Sequence, residues 1–171
     1  MSHSDREFVP LSLAILTISD TRTAADDRSG DTLAEAAAEA GHRVAERRIV
    51  RDDRYAIRAA ISEWVLDART HAIITTGGTG FTDRDVTPEA VRPLFDREIP
   101  GFGELFRQLS HGEIGTSMLQ SRVLAGIANH TLIACLPGSP GACRSGWRGI
   151  LADQLDVRHR PCNLAELVLL V

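Results

Sequence analysis

Residues 11–19, LSLAILTIS, form a nearly continuous apolar run that is rich in strand-favouring residues. A run of this kind offers apolar side chains to both sides of a sheet, which is typical of a strand covered on both faces in a parallel sheet. Two further segments, 43–50 (RVAERRIV) and 71–76 (HAIITT), are also predicted as strands. Together they favour a chain organised around a parallel sheet.

Helical segments alternate with these strands, because apolar residues recur at helical spacing between them. Ser29 or Asp31 is predicted to cap a helix over 32–40, which Gly41 ends. Thr87 as N-cap, with Pro88 at the first helical position, is predicted to begin another helix. The inward faces of the remaining helices are predicted to carry Ile57, Ile61, Trp64, Val65 and Ala68; Phe102, Leu105, Phe106 and Leu109 (over 102–109); and, after a cap at Ser139, Trp147, Ile150, Leu151 and Leu155.

Residues 121–139 are predicted to form two short strands around a turn at Asn129 and His130. The whole pattern predicts an α/β fold with three layers (α/β/α), whose mostly parallel central sheet is extended by a small β-hairpin. No repeat or linker divides the chain, so residues 1–171 are expected to form one domain. The terminal run LAELVLLV is too short to span a membrane, and is predicted to be a packed strand or helix, or part of a subunit contact.

All nineteen basic residues of the chain are arginine, and the net charge is −4. The absence of lysine excludes a Schiff-base lysine and a lysine-bearing P-loop, so anions must be recognised by arginine, hydroxyl or backbone N–H groups. The arginines are scattered among acidic residues, so no nucleic acid partner is predicted. Three widely spaced cysteines and no apolar N-terminal signal region indicate a cytoplasmic protein with reduced thiols and no membrane partner.

Polar, small or acidic residues follow four of the predicted strands. Ligands of open α/β sheets bind beyond the carboxyl ends of the strands, so these loops are expected to converge on one site. They contain Ser19, Asp20, Ser29, Gly30 and Asp31; Asp52 and Asp53; the segment 74–90 (ITTGGTGFTDRDVTPEA); and Pro137, Gly138, Ser139 and Pro140.

Gly77, Gly78 and Gly80 follow the third predicted strand. A dinucleotide fingerprint would need glycine three positions after Gly80, where Asp83 stands, and a P-loop would need lysine. Both motifs are therefore excluded. A tight turn and a cradle of exposed N–H groups for a phosphate or a flat heterocycle remain equally open from these residues alone.

Asp83 and Asp85 lie three and five residues after Gly80. Each is a candidate for a solvated loop acid or a turn residue. A carboxylate beside a phosphate cradle repels the ligand unless a cation lies between them, and Mg²⁺ is commonly held by one or two carboxylates together with phosphates. Asp52, at the neighbouring strand end, is the expected partner. Such an arrangement suits the transfer of a phosphorus-centred group.

Several separated motifs also carry a resemblance. TTGGTG…RDVTPEA, with SDT…SGD before it and LPGSPGA after it, resembles the MoaB/MogA family of molybdenum cofactor biosynthesis proteins over about residues 11–163, taken as the core of the domain. The segments RYAIRAAISEW, LFDREIPGFGELFR, EIGTSMLQSRVLAGIAN and RPCN are more similar to the MoaB branch than to the MogA branch.

The resemblance implies a molybdopterin-binding domain that assembles as a homo-oligomer, a trimer or a hexamer. It also implies that Asp52 and Asp85 are the catalytic acidic pair and hold Mg²⁺, and that the ligands are molybdopterin and ATP. The ligand-binding residues that it implies are Ser19, Asp20, Ser29, Gly30, Thr76, Gly77, Gly78, Thr79, Gly80, Thr87, Glu89, Ser121, Arg122, Pro137, Gly138 and Ser139.

The implied reaction is attack by the terminal phosphate of molybdopterin on the α-phosphorus of ATP, with release of pyrophosphate. Arg122 or Arg84 is expected to act where a lysine is absent. Two alternatives stay open: a molybdopterin-binding carrier or scaffold without catalysis, and an unrelated α/β enzyme that binds a phosphometabolite.

Overall fold

The computed structural model describes residues 6–169, in which a six-stranded sheet has the order β2-β1-β3-β6-β5-β4. The strands β1, β2, β3 and β6 are parallel, while β5 is antiparallel to β6, and the short edge strand β4 is antiparallel to β5. The predicted sheet, mostly parallel with a small antiparallel part, is confirmed. The strands are β1 (Ser12–Ile18), β2 (Arg43–Val50), β3 (Ala72–Thr76), β4 (Arg97–Glu98), β5 (Leu124–Ala128) and β6 (Thr131–Leu136).

Helices cover both faces of this sheet, so the predicted three layers are confirmed. Short 3₁₀ turns follow α3 and α4, at 92–94 and 115–120, and a π-helical segment at 147–151 joins α5 to α6. The helices are α1 (Arg28–Glu39), α2 (Arg54–Leu66), α3 (Thr87–Val91), α4 (Pro100–Ile114), α5 (Pro140–Gly146), α6 (Ala152–Gln154) and α7 (Ala165–Leu169).

The central strand β1 contributes to two apolar clusters, one on each face of the sheet. Leu13 and Ile15 pack with α1, α4 and α5, whereas Ala14 and Leu16 pack with α2 and α3. All four side chains are at most 2% exposed. Successive side chains of a strand point to opposite faces, so a strand buried on both faces needs apolar residues at every position. This explains the nearly continuous apolar run from which the fold was predicted.

The start of α1 differs from the prediction. Asp27 is the N-cap, and its side chain accepts a hydrogen bond from the N–H of Gly30, so the helix begins before the predicted caps Ser29 and Asp31. An N-cap side chain has to reach the N–H group two or three residues ahead, and in DDRSGD several polar residues satisfy that spacing. The sequence pattern therefore located the helix start to within one turn only.

The helix α4 is longer than predicted, and one residue of its inward face was assigned wrongly. Phe102 and Phe106 are buried, but Leu105 is 41% exposed. The position of Leu105 on the helix borders the apolar stripe, where periodicity alone does not decide between core and surface.

A predicted turn and a predicted helix cap are confirmed. Asn129 and His130 both have positive φ values, 46° and 63°, as a tight turn between β5 and β6 requires. The side chain of Ser139 accepts a hydrogen bond from the N–H of Ala142, which makes it the N-cap of α5. The described part of the terminal run LAELVLLV contains α7, so the helical alternative is the correct one there. No helix within residues 6–169 is long and apolar enough to cross a membrane.

Candidate functional site

A cleft of about 350 Å³ lies at the carboxyl ends of the parallel strands. The structure brings the loops after β1, β2, β3 and β6 together at this cleft, as expected for an open α/β sheet. Twelve of the predicted site residues line it: Ser19, Ser29, Asp52, Thr76, Gly77, Gly78, Thr79, Gly80, Asp85, Ser121, Pro137 and Gly138. The remaining lining residues are Thr17, Ile18, Arg22, Arg84 and Gln120.

The glycine loop, residues 77–80, turns tightly against the end of β1. Gly77 and Gly78 have φ values of +106° and +67°, which side chains of L-residues disfavour. A Cβ atom on Gly77 would lie 2.2 Å from the carbonyl oxygen of Ile18. The turn and the cradle that the sequence left open are thus compatible, because the same positive φ values that make the turn also bring bare backbone to the cleft.

Not every N–H group of the glycine loop is available to a ligand. The N–H of Gly77 donates to the carbonyl oxygen of Leu136 at 3.0 Å. The N–H groups of Gly78 and Thr79 have no acceptor within residues 6–169. Among the lining residues of this loop, Gly78 and Thr79 therefore have N–H groups left for a phosphate or a heterocycle in the cleft.

Thr87 holds the glycine loop through hydrogen bonds. Its predicted role as the N-cap of a helix is wrong. The N-cap of α3 is Val86, without a side-chain hydrogen bond. The hydroxyl of Thr87 instead donates to the carbonyl oxygen of Gly77 at 2.9 Å, and its N–H donates to the carbonyl oxygen of Gly78 at 3.0 Å. Because Thr87 is fully buried, its hydroxyl has to find a partner inside the protein, and the loop carbonyl provides one.

The carboxylates of Asp52 and Asp85 both lie against the glycine loop. A Cβ atom on Gly78 would lie 3.1 Å from Asp52 Oδ1, and one on Gly80 would lie 2.7 Å from Asp85 Oδ2. The predicted convergence of these two aspartates from different strand ends is thus present in the geometry of the site.

The two aspartates have different electrostatic surroundings. Burial, followed by the charge of Asp85, raises the pKa of Asp52. Burial alone would raise the pKa of Asp85 as well, but hydrogen bonds from the hydroxyl and N–H of Thr82, at 2.7 and 2.9 Å, and the charge of Arg122 outweigh it and lower the pKa. Asp52 is therefore the carboxylate whose charge the protein leaves uncompensated.

This pair fits a divalent cation. No group within residues 6–169 donates a hydrogen bond to the Asp52 carboxylate, and a cation between the two carboxylates would relieve their repulsion. The described residues contain no group of three or more histidine, cysteine, aspartate or glutamate side chains placed to hold a metal ion. The further ligands would have to be water or phosphate oxygens, which is the coordination that Mg²⁺ favours.

Six predicted site residues lie outside the wall of the cleft: Asp20, Gly30, Thr87, Glu89, Arg122 and Ser139. The carboxylate of Asp20 accepts the N–H of Asp52 at 3.2 Å and pairs with Arg84. Glu89 pairs with Arg122, and Ser139 is used as a helix cap. In the structure Gly30 contributes only its backbone N–H, which donates to Asp27, and the five side chains of the other residues support the loops around the cleft.

Asp27 is a residue of the site that the sequence analysis missed. It is 2% exposed, and its carboxylate accepts hydrogen bonds from the N–H of Gly30 at 3.0 Å and the hydroxyl of Thr17 at 2.7 Å. The guanidinium of Arg47 also reaches it, at 3.3 Å. Since Thr17 and the neighbouring Ser29 line the cleft, Asp27 holds one wall in place. The N-cap spacing to Gly30 was the available signal.

Comparisons with known proteins identify the family that this chain resembles in sequence. The family model MoCF_biosynth, described as "Probable molybdopterin binding domain", matches residues 14–157. "Molybdenum cofactor biosynthesis protein B" of Escherichia coli (strain K12) is 55% identical over 163 residues, which cover 95% of this chain and 96% of the relative. The protein of the same name from Bacillus subtilis is 42% identical over 142 residues, 82% and 84% of the two chains.

Solved structures show the same fold. A crystal structure of Molybdenum cofactor biosynthesis protein B superposes with a TM-score of 0.87 at 38% identity and covers 95% of this chain and 96% of that one. The tungsten cofactor synthesizing protein MoaB from Pyrococcus furiosus gives a TM-score of 0.75 at 33% identity, with 84% and 92% covered. A MogA structure gives 0.75 at 34% identity, with 84% and 94% covered.

Proposed function

Because the chain belongs to the MoCF_biosynth family of molybdopterin-binding, molybdenum cofactor biosynthesis proteins, we propose that it binds molybdopterin and adenylylates it with Mg-ATP. In this reaction the terminal phosphate oxygen of molybdopterin bonds to the α-phosphorus of ATP. The bond from the α-phosphorus to the oxygen that links it to the β-phosphorus breaks, and pyrophosphate leaves with that oxygen. Membership of the family disfavours the unrelated phosphometabolite enzyme.

The single observation that carries the proposal is that the carboxylates of Asp52 and Asp85 both lie against the same bare glycine loop. A protein that only held an anion would gain nothing from two carboxylates beside its N–H donors, since they repel the ligand. With a cation, the same pair neutralises phosphates, which is the main requirement of phosphoryl and nucleotidyl transfer.

The residues of the chain have distinct parts in this proposal. The N–H groups of Gly78 and Thr79 bind and orient phosphate oxygens in the cleft. Asp52 and Asp85 would hold Mg²⁺, which when bound offsets the negative charge of the departing pyrophosphate. Arg84 lines the cleft with a 68% exposed side chain, so it can turn from Asp20 towards an anion. No side-chain nucleophile is needed, because the attacking oxygen belongs to the substrate.

We also propose that residues 1–171 act as one molybdopterin-binding domain with its core at about 11–163, that it assembles as a trimer or hexamer, and that it works in the cytoplasm. The exposed apolar side chains Phe81, Ile114 and Leu119 supply surface for such an assembly. Light scattering of the purified protein measures this directly, and a monomer would contradict the proposed oligomer.

The activity is tested by incubating the purified protein with molybdopterin, ATP and Mg²⁺, and measuring pyrophosphate release and adenylylated product by mass spectrometry. Asp85→Asn should lower the rate by about a hundredfold or more, in line with the loss of a charge that stabilises a transition state, while molybdopterin remains bound. Asp83→Asn is the matched control, because it removes the same charge from an exposed position two residues away.

The outcome separates the two functions that share every motif. Product formation that depends on Asp85 supports the adenylyltransferase. Binding of molybdopterin without pyrophosphate or adenylylated product would overturn the enzymatic proposal and favour a carrier or scaffold. Equal losses in Asp83→Asn and Asp85→Asn would contradict the specific role given to Asp85.

A further inference from the structure

Arg122 makes an unusual set of contacts for a residue expected to bind a ligand. Its N–H donates to the carbonyl oxygen of Thr79 at 2.9 Å. Its side chain donates from Nε to the carbonyl oxygen of Gly80 at 2.7 Å, and from Nη2 to that of Asp85 at 2.8 Å. The third nitrogen, Nη1, pairs with the carboxylate of Glu89. Each guanidinium nitrogen therefore already has a partner inside the protein.

Three of these acceptors belong to one stretch of chain, residues 79–85, here called the acidic segment. Arg122 donates hydrogen bonds to carbonyl groups near the two ends of the acidic segment. Within the segment, the N–H and the hydroxyl of Thr82 donate to the carboxylate of Asp85. The guanidinium carbon also lies 5.1 Å from the centre of the Phe81 ring, a distance at which a cation and an aromatic face attract each other. One half-buried side chain thus holds the segment that carries Asp85.

We infer that Arg122 is a positioning residue of the proposed reaction, which fixes the acidic segment so that the Asp85 carboxylate stays opposite Asp52. This inference rests on the proposed function of the cleft. It replaces the expectation that Arg122 contacts phosphate, because its side chain is committed to two carbonyl oxygens and a carboxylate. Arg84 is the exposed alternative for that contact, with Asp20 as its partner.

The chemistry of the two basic side chains provides the test. Arg122→Lys keeps the positive charge, but an ammonium group is a single point of charge and cannot bond along the three separate directions of the guanidinium. A residue that only supplied charge to a ligand would tolerate lysine. A residue that ties separate carbonyl groups would not. Arg69→Lys is the matched control, since within residues 6–169 Arg69 pairs only with Asp67, is 89% exposed and precedes β3 at the opposite end of the strands from the cleft.

Amide hydrogen exchange of residues 79–85 is measured in the wild type, Arg122→Lys, Arg122→Gln and Arg69→Lys. We expect exchange about tenfold faster in both Arg122 variants and unchanged in Arg69→Lys, as the loss of one or two charge-assisted hydrogen bonds predicts. We also expect kcat for adenylylation to fall about tenfold or more in Arg122→Lys, while KM for ATP stays within about threefold.

Wild-type exchange and wild-type kcat in Arg122→Lys would overturn the inference. So would a rise in KM for ATP with unchanged exchange, because that pattern belongs to a residue that contacts the nucleotide. If the wild type forms no product, the proposed function fails, but hydrogen exchange still decides whether Arg122 fixes the acidic segment. The two proposals therefore fail on different measurements.

Discussion

Replacement of Gly77 by alanine tests how the glycine loop is held. Gly77 has a φ of +106°, and a Cβ atom there would lie 2.2 Å from the carbonyl oxygen of Ile18. Cβ atoms in proteins are essentially never found closer than 3.0 Å to another heavy atom of this kind. The backbone has to move to open this gap. That movement stretches the hydrogen bond from the N–H of Gly77 to Leu136 and the one from the hydroxyl of Thr87 to the Gly77 carbonyl.

The expected cost follows from these contacts. A left-handed backbone costs a residue with a Cβ about 1–2 kcal/mol, and each weakened hydrogen bond adds about 0.5–1.5 kcal/mol. We therefore expect Gly77→Ala to lower the free energy of unfolding by about 2–5 kcal/mol, which for a chain of this length lowers the melting temperature by about 4–20 °C.

The assay is urea unfolding at one fixed protomer concentration, because an oligomer gains stability with concentration. Gly112→Ala is the matched control: Gly112 lies in α4, and a Cβ there meets nothing within 4 Å. Alanine favours a helix over glycine, so the same substitution should stabilise the protein by about 0.5–1 kcal/mol at this position. A Gly77→Ala protein within about 0.5 kcal/mol of the wild type would refute the account of the loop, since that is the range of substitutions without structural effect.

Three further predictions concern other polar groups. Asp27→Ala should destabilise the protein by about 2–4 kcal/mol in urea unfolding, because a buried hydroxyl, an N–H group and a guanidinium lose their acceptor, whereas Asp31→Ala, at the same helix end, should cost far less. The pKa of Asp52 is raised above the unfolded value of 3.8. Above the folded pKa its negative charge therefore destabilises the folded state, whereas below 3.8 the carboxyl is protonated in both states and has no such effect. Asp52→Asn should therefore melt higher than the wild type at neutral pH without divalent cations, and the difference should vanish below pH 3.8; an equal difference at both pH values would contradict this. A thiol reagent should label one cysteine per native chain and three after denaturation. Burial raises the pKa of the Cys135 thiol to about 12 and that of the Cys143 thiol to about 11, whereas Cys162 is exposed.

The fold could be predicted because its signals are local and repeated. The apolar run over β1, the helical spacing over α2 and the positive-φ turn at Asn129 each follow from a few adjacent residues. Agreement between these local preferences and the final sheet is what makes such a pattern informative. The ends of elements were less certain, as the start of α1 at Arg28 shows.

The approach of Asp52 to Asp85 could be predicted, but the hydrogen-bond partners that hold the loops of the site could not, because these bonds join segments that are distant in sequence. Thr87 has the sequence context of a helix cap, but its buried hydroxyl bonds to Gly77, ten residues earlier. Arginine is a residue type that commonly binds phosphate, but the side chain of Arg122 donates to carbonyl oxygens about forty residues away in the sequence. Sequence spacing identifies which residue types a site contains. Which of them meet a ligand and which hold a loop depends on how the strand ends approach one another.

The absence of lysine acquires a structural meaning at these positions. Arg58 donates from Nε to the carbonyl oxygen of Ala90 and from Nη2 to that of Glu89, each at 2.9 Å, and so holds the end of α3. Arg122 does the same for the acidic segment. A guanidinium presents its donors in a rigid fork and can join two acceptors with one side chain, whereas an ammonium group has no such geometry. The guanidinium groups of Arg122 and Arg58 thus hold the loop with Asp85 and the helix that follows it. At both positions lysine would keep the charge of the chain and lose the connection, so the choice of arginine is a requirement of geometry there, while at an exposed pair such as Arg69 with Asp67 it is not.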